Sequence, residues 1–410
     1  MVLGPGGSGV SMLAAAAALS GSHSPDRPGT LPIGEQRDTL LVTLDARSPV
    51  PALLGVYRVP GEPVPVTADV DLLHVEHLDV IEHAWTQFAA ALTALTAGRT
   101  ALPVVGTLAS IAPGELTDLP GVAEFLMLRQ VRDAATSGRW RRVVVDLSGV
   151  GDPFALLRAP TVLSAAIERM WPRATRLAQA GEKPVLAQLS AAVEGIDRDC
   201  QDLADLFCDP HSVAAHLVLD ASERGRRVAA DHLAVADLTA LPLRSVLISA
   251  GESDRPTAAT ADTVRATLGD GSGVTVREIE SGGVLDRLSR IRKIAVPMAA
   301  PSGRPYGSGA LTVAKSSGQG VTAVFELRWR QGLPEPERLH LGRSGDDLLV
   351  TVAGFRHPVR LPSVLRRCRV VGADWSDGEL CVRFEPDAAI WPARQGGSGG
   401  AASSQREAGN

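Results

Sequence analysis

Near the start of the chain, four glycines fall within six consecutive positions, Gly4-Pro5-Gly6-Gly7-Ser8-Gly9, between an apolar stub (Met1-Val2-Leu3) and an alanine-rich run beginning at Val10. Glycine at this density takes the backbone through conformations that side chains resist, and it lets successive main-chain N–H groups turn the same way. The following run, residues 12–19, is strongly helix-forming. Stub, turn and helix in this order predict an anion cradle, because the loop donors and the positive end of a helix meet at one point. The same run is far shorter than the roughly 20 residues of a membrane span, and no basic segment precedes it. Neither a signal peptide nor a transmembrane helix is therefore expected.

The rest of the 410 residues decides what the turn is set in. Between residues 1 and 298, apolar bursts at 40–44, 72–75, 142–147, 184–189, 216–219 and 245–249 alternate with long Ala/Leu-rich stretches such as 81–96, 122–137 and 224–239. Strands separated by helices predict an α/β fold, a mostly parallel sheet with helices on both faces. Residues 299–320 are rich in Gly, Ser, Pro and Ala and read as a linker. From 321 to 392 the pattern changes to period two, in VTAVFELRW, RLHLGR, DLLVTVAG, FRHPVRLP, RCRVVGADW and ELCVRFEP, separated by turn residues. A small C-terminal all-β sandwich is expected there. Residues 393–410 have nothing apolar to bury and read as a disordered tail.

Composition narrows the function. Hydrophobic residues make up 45% of the chain, and 46 acidic residues outnumber 41 basic ones for a net charge of −5, which excludes a global nucleic-acid footprint. The Arg366-Arg367-Arg369 cluster has only Trp375 near it as a stacking platform, so it reads as a solvated turn. Four cysteines give no disulfide framework and fit a reducing cytoplasm. Cys200 and Cys208 lack C-x-x-C spacing, and Cys368 and Cys381 fall on adjacent predicted strands as neighbours, so no zinc site and no soft-oxyanion thiolate cluster is expected. His74, His77 and His83 have no accompanying metal-ligand set and read as solvated or helix-end residues.

The glycine turn compares with the P-loop pattern G-x-x-x-x-G-K-[ST]. Gly4 and Gly9 have its spacing and Ser11 is placed to reach Mg²⁺, but Val10 stands where the lysine belongs. GPGGSGVSMLAAAAAL resembles the deviant loop GKGGVGKTT of the ArsA and tail-anchored-protein-targeting ATPases of the SIMIBI class, whose second, signature lysine is here Pro5. TLLVTLDARSPVPALLG resembles the family's switch-one segment. Asp45 stands at the acid that orients the attacking water, Arg47 at the Ala position, and Ser48-Pro49 at the His-Ser pair. RRVVVDLSGVGDPFALLRAPTVLSAAIERMWP is similar to switch two, with Asp146 at the Mg²⁺-side acid, Gly151 at the γ-phosphate-sensing glycine, and Leu156-Leu157 and Pro160 in register. Asp220 stands at the Asn of L-V-L-N-P, and Ile248-Ser249 replace the V-N of the adenine-side strand. LVTVAGFRHPVRLPSVLRRCRVVGADWSDGELCVRF resembles the α-crystallin-like, small-heat-shock-type domain carried by many ArsA-type ATPases.

The resemblance implies a P-loop-type domain over 1–298, ATP and Mg²⁺ as candidate ligands, and a dimer with facing sites. The cofactor-binding set it implies is Gly4, Gly6, Gly7, Gly9, Val10, Ser11, Asp146 and Gly151. Ser11 and Asp146 lie near Mg²⁺, and Asp45 is the candidate catalytic residue. With both lysines replaced, three functions follow as expectations. The first is a pseudo-ATPase acting as a regulatory or scaffolding subunit, as a homodimer or with an active ArsA-like paralogue. The second is a weak ATPase in which Arg47, Arg142 or Arg158 replaces the lysine. The third is a chaperone-like module holding a membrane-protein client.

Overall fold

The computed structural model describes residues 1–20, 37–96, 111–115, 121–182, 184–251, 255–269, 272–280, 283, 287–303, 311–332 and 336–391. The chain forms two compact units, residues 1–307 with 332–334, and 308–331 with 335–410. The strands of the first are β1 (Val2–Leu3), β2 (Arg37–Thr43), β3 (Pro63–Pro65), β4 (Val70–His74), β5 (Trp140–Asp146), β6 (Ala215–Asp220), β7 (Leu243–Ser249) and β8 (Thr275–Ile279). Its helices are α1 (Val10–Ser20), α2 (Val50–Leu54), α3 (His77–Thr96), α4 (Val122–Thr136), α5 (Pro153–Met170), α6 (Arg173–Glu182), α7 (Pro184–Cys208), α8 (Glu223–Leu238), α9 (Ala258–Leu268) and α10 (Leu288–Ile291).

One eight-stranded sheet runs in the order β3-β4-β2-β5-β1-β6-β7-β8, and only the β3–β4 pair is antiparallel. β1 is two residues long and lies at the centre, where Val2 pairs with Asp146 of β5 and His216 of β6. From β1 the chain builds first toward β2 and β4 and later toward β6, β7 and β8. The strand order thus reverses at β1 and β6, which opens a crevice at their carboxyl ends. Alanine shapes the packing there. Ala14 to Ala18 of α1 are at most 1% exposed and lie in one core cluster with Leu41, Val144, Val218 and Leu247 of the sheet. Residues this small allow the helix to approach the strands closely along its whole length.

The second unit has β9 (Thr312–Ser317), β10 (Val324–Arg330), β11 (Leu339–Ser344), β12 (Asp347–Val352), β13 (Phe355–Arg360), β14 (Cys368–Ser376) and β15 (Glu379–Pro386). They form the antiparallel sheets β14-β15-β10-β9 and β11-β12-β13 of a sandwich. Leu327, Leu348, Val350, Val352, Leu380, Val382 and Phe384 are among its fully buried side chains. Two of its hairpins close on consecutive positive-φ residues, Ala353-Gly354 and Asp377-Gly378, the geometry whose twist matches that of the strands.

Several expectations are corrected. Residues 184–189 open α7 and are not a strand. A short apolar burst does not separate strand from buried helix, whereas Leu186, Leu189, Val193, Ile196, Cys200, Leu203 and Phe207 repeat at helical spacing and Pro184 suits a first helical turn. Residues 312–317, read as linker, form β9 against β10. This edge strand is almost wholly exposed, so it lacks the apolar alternation that marks a half-buried strand. The exposed edge strand β8 escaped for the same reason. Cys368 and Cys381 do lie on neighbouring strands, but Cys368 pairs with Pro386 and Cys381 with Asp374, and all four cysteines are free. The tail at 393–410 lies outside the described residues. Among the described residues no helix is long and apolar enough to cross a membrane.

Candidate functional site

The glycine turn leaves the carboxyl end of β1 and enters α1. A Cβ on Gly4 would lie 2.2 Å from the Val218 carbonyl of β6, so this position admits no side chain. Gly7 and Gly9 have φ of 82° and 91°, and the Ser8 N–H donates to the Pro5 carbonyl at 3.2 Å. Ser8 itself is 2% exposed and its hydroxyl has no partner. The two positions that carry lysine in the resembling loop are apolar here. Val10 is 4% exposed and packs toward Gly4, while Pro5 is half-buried.

The acids expected from the switch segments come to the same sheet edge. Asp146 ends β5 at 1% exposure. Its Oδ1 accepts from the Ser148 N–H at 3.0 Å, and its Oδ2 has no partner. Burial raises its pKa above the usual carboxylate value, the Ser148 N–H and the Ser148 and Ser11 hydroxyls oppose that rise, and Asp45 adds to it. Ser11 and Ser148 share a hydrogen bond of 2.6 Å. Asp45, just beyond β2, accepts from the Arg47 N–H at 2.8 Å, and its carboxylate fills the space a side chain on Gly149 would need, 2.0 Å from that Cβ. Gly149 is therefore pressed against this carboxylate, whereas Gly151 and Gly6 have open space around them.

Other candidates are placed elsewhere. His74 is 2% exposed, held between Thr43 and Glu76 at 2.9 Å each, and burial lowers its pKa against the raising effect of Glu76. It is a satisfied, buried histidine at the end of β4 and not the solvated or helix-end residue expected, because Thr43 and Glu76 supply partners that replace water; among the described residues no cluster of metal-ligating side chains forms. Of the three arginines considered as lysine replacements, Arg142 bonds the Ala17 and Ala18 carbonyls and Thr39 Oγ1, at the amino end of β5 and away from the loop. Arg158 lies on α5, its pKa lowered by burial against the raising charge of Asp152, and Arg47 is exposed on the switch-one loop. None of the three lines the cleft beside the loop.

That cleft, about 540 Å³, lies between the glycine turn and the ends of β6, β7 and β8. Met12, Leu13, Ile279 and Ile294 give it apolar walls, and Asp220, Ser222, Ser249 and Glu280 bring polar groups. Asp220 accepts from the Ser222 N–H at 2.9 Å, and Ser222 caps α8 by accepting from Gly225 at 3.3 Å. The cations sequence reasoning missed are here: Arg224 and Arg255 line the cleft, and Arg224 Nη1 donates to the Gly6 carbonyl at 2.7 Å. Arg58 was also missed. It braces the loop after β2 by donating to the Ala46 and Ser48 carbonyls. No local motif marks either contact: Arg224 and Gly6 are 218 positions apart, and Arg58 reaches back 10 and 12 positions across α2.

Comparison with known proteins agrees with this anatomy. Residues 326–384 match the family model described as "HSP20-like domain found in ArsA". Over its full length the chain is similar to Protein Rv2184c of Mycobacterium tuberculosis, with 32% identity covering 96% of this chain and 97% of that protein. It is likewise similar to Uncharacterized protein SCO2128 of Streptomyces coelicolor, with 33% identity covering 96% and 98%. Carrying an ArsA-type HSP20-like module after a mostly parallel sheet with a glycine-turn crevice, and matched over 96% of its residues by relatives that are themselves covered almost completely, the chain belongs to the ArsA-like family.

Proposed function

We propose that this protein is a pseudo-ATPase of its family, a cytoplasmic regulatory or scaffolding subunit that forms a homodimer or pairs with an active ArsA-like paralogue. The observation that carries the reading is the chemistry at position 10. Val10 is buried against the turn, so no amine reaches the loop from either lysine position, while Asp45 and Asp146 remain together at the sheet edge.

Phosphoryl transfer is catalysed by positioning and by positive charge on the transferred group. Each lost charge-assisted contact removes about 1.5–3 kcal/mol, and two such losses amount to roughly 10²–10⁴-fold in rate or affinity. Ser11 and Asp146 would hold Mg²⁺, and the unpartnered Asp146 Oδ2 fits that use. When bound, the ion supplies positive charge to phosphate oxygens. The role left to the residues here is orientation: the turn would direct its N–H groups at an anion, and Asp45 would align a water.

Steady-state phosphate release from Mg·ATP tests the reading. The expected result is no turnover above the buffer control, together with a changed rate when the chain is added to an active ArsA-like paralogue. Turnover by the parent chain that disappears in Asp45→Asn would overturn it.

A further inference from the structure

The loop that lacks its lysines is nonetheless touched by a cation from the far side of the sheet's switch point. Arg224, in the first turn of α8, donates one guanidinium N–H to the Gly6 carbonyl at 2.7 Å. The side chain is exposed and lines the cleft, so its remaining donors face the same space. A second, independent feature points to a ligand there. Ser8, 2% exposed and also lining the cleft, has a hydroxyl with no partner among the described residues, a costly state for a buried polar group. α1 and α8 both begin at this cleft and bring two positive dipole ends to it. Met12 and Ile279 offer an apolar surface beside these donors.

We propose that Arg224 takes over the electrostatic role of the missing loop lysine and holds the phosphates of a nucleotide-like oligophosphate in this cleft, with Ser8 as a further donor. The proposal rests on reading the cleft as an inherited phosphate site that has lost its lysines. A guanidinium suits the task because it keeps its charge at all physiological pH and offers parallel N–H pairs to phosphate oxygens. Its position also differs from a lysine's. It enters from α8, so charge falls on the cleft side of the turn, away from Asp45 and Asp146, which favours binding over hydrolysis.

Equilibrium titration of the full-length chain with a fluorescent, non-hydrolysable ATP analogue, with and without Mg²⁺, tests this. Arg224→Ala is expected to weaken binding by about tenfold or more, the loss of one charge-assisted contact. Arg224→Lys should restore most of the affinity, and Arg227→Ala, whose side chain pairs with Glu223 on the same helix, should leave it unchanged. Thermal unfolding of each variant checks that the exposed Arg224 is not required for folding. Competition by ATP far stronger than by inorganic phosphate identifies a nucleotide. Equal competition identifies a free anion held by the same arginine. The proposal is overturned if the parent does not bind the analogue, if Arg224→Ala binds equally well or more tightly, as it would were Arg224 a plug on the loop, or if adenosine competes as well as ATP. Because the analogue cannot be hydrolysed, failure here is distinct from failure of the pseudo-ATPase reading, which only turnover can cause.

Discussion

Asp146 places a carboxylate at a buried strand end, where Ser148 donates to one of its oxygens. It is almost fully buried, one oxygen is unpartnered, and Asp45 stands close enough to add repulsion. A buried anion without a cation costs stability, and sites kept for function often carry such a cost. Asp146→Asn should therefore stabilise the protein by about 1–2 kcal/mol at neutral pH, read from urea unfolding. The pH dependence follows from the raised folded-state pKa. The unfolded chain loses this proton near 3.8 and the folded chain only at higher pH, so the penalty grows as pH rises through that window and is complete above it. The advantage of the Asn variant should shrink as the solution is acidified back through the window. A variant less stable than the parent at pH 7 would mean the carboxylate has a structural partner. Of these features the identity of Asp146 at a strand end was legible in the sequence, and so were Asp45 and Ser11. The contact of Asp45 with Gly149 was not, because residues 45 and 149 meet only when the ends of β2 and β5 are brought side by side.

At the scale of elements, two glycines illustrate what positions the cleft. A Cβ on Gly225 would lie 1.9 Å from the Asp220 carbonyl, so the first turn of α8 is packed directly onto the end of β6. Gly225→Ala must displace backbone, and it should cost about 2–3 kcal/mol and weaken any ligand in the cleft, because Asp220, Ser222 and Arg224 belong to the same turn. Gly6 has open space around it and no positive φ, so Gly6→Ala should change stability by no more than about 0.5 kcal/mol. Chemical denaturation of both variants checks the contrast, and equal costs would refute the packing argument. The elements themselves were mostly readable. Buried parallel strands such as β2 and β6 are continuous apolar runs, and β10 to β15 follow period two. β8 and β9 escaped because edge strands exposed to water need not alternate, and the start of α7 was misread because six residues are too few to separate periods of 2.0 and 3.6.

For the whole molecule, each compact unit has a hydrophobic core of its own, and chains of this kind depart from a single cooperative transition. Scanning calorimetry should resolve two unfolding events. Phe384, fully buried in the sandwich, provides the assignment: Phe384→Ala should cost about 3–5 kcal/mol and lower one event while leaving the other in place. A single transition that shifts as a whole would contradict two cores. ArsA-like membership is a property of the chain as a unit, since the HSP20-like module and the sheet with its glycine turn occur in one chain matched along its length.

The sequence alone determined what depends on near neighbours: the glycine turn, the loss of both lysines at Pro5 and Val10, the acids at strand ends, the helix and strand periods, and the change to an antiparallel module. These are set by steric and hydrophobic patterns that repeat within a few residues. Tertiary structure alone decided which cation reaches the loop. Arg142 and Arg158 carry the same guanidinium as Arg224, but Arg142 is engaged at the amino end of its strand and Arg158 lies on α5, while β1 and β6 lie side by side and turn the start of α8 toward Gly6. The physical reason is that charge acts through space, and strand order sets the distances.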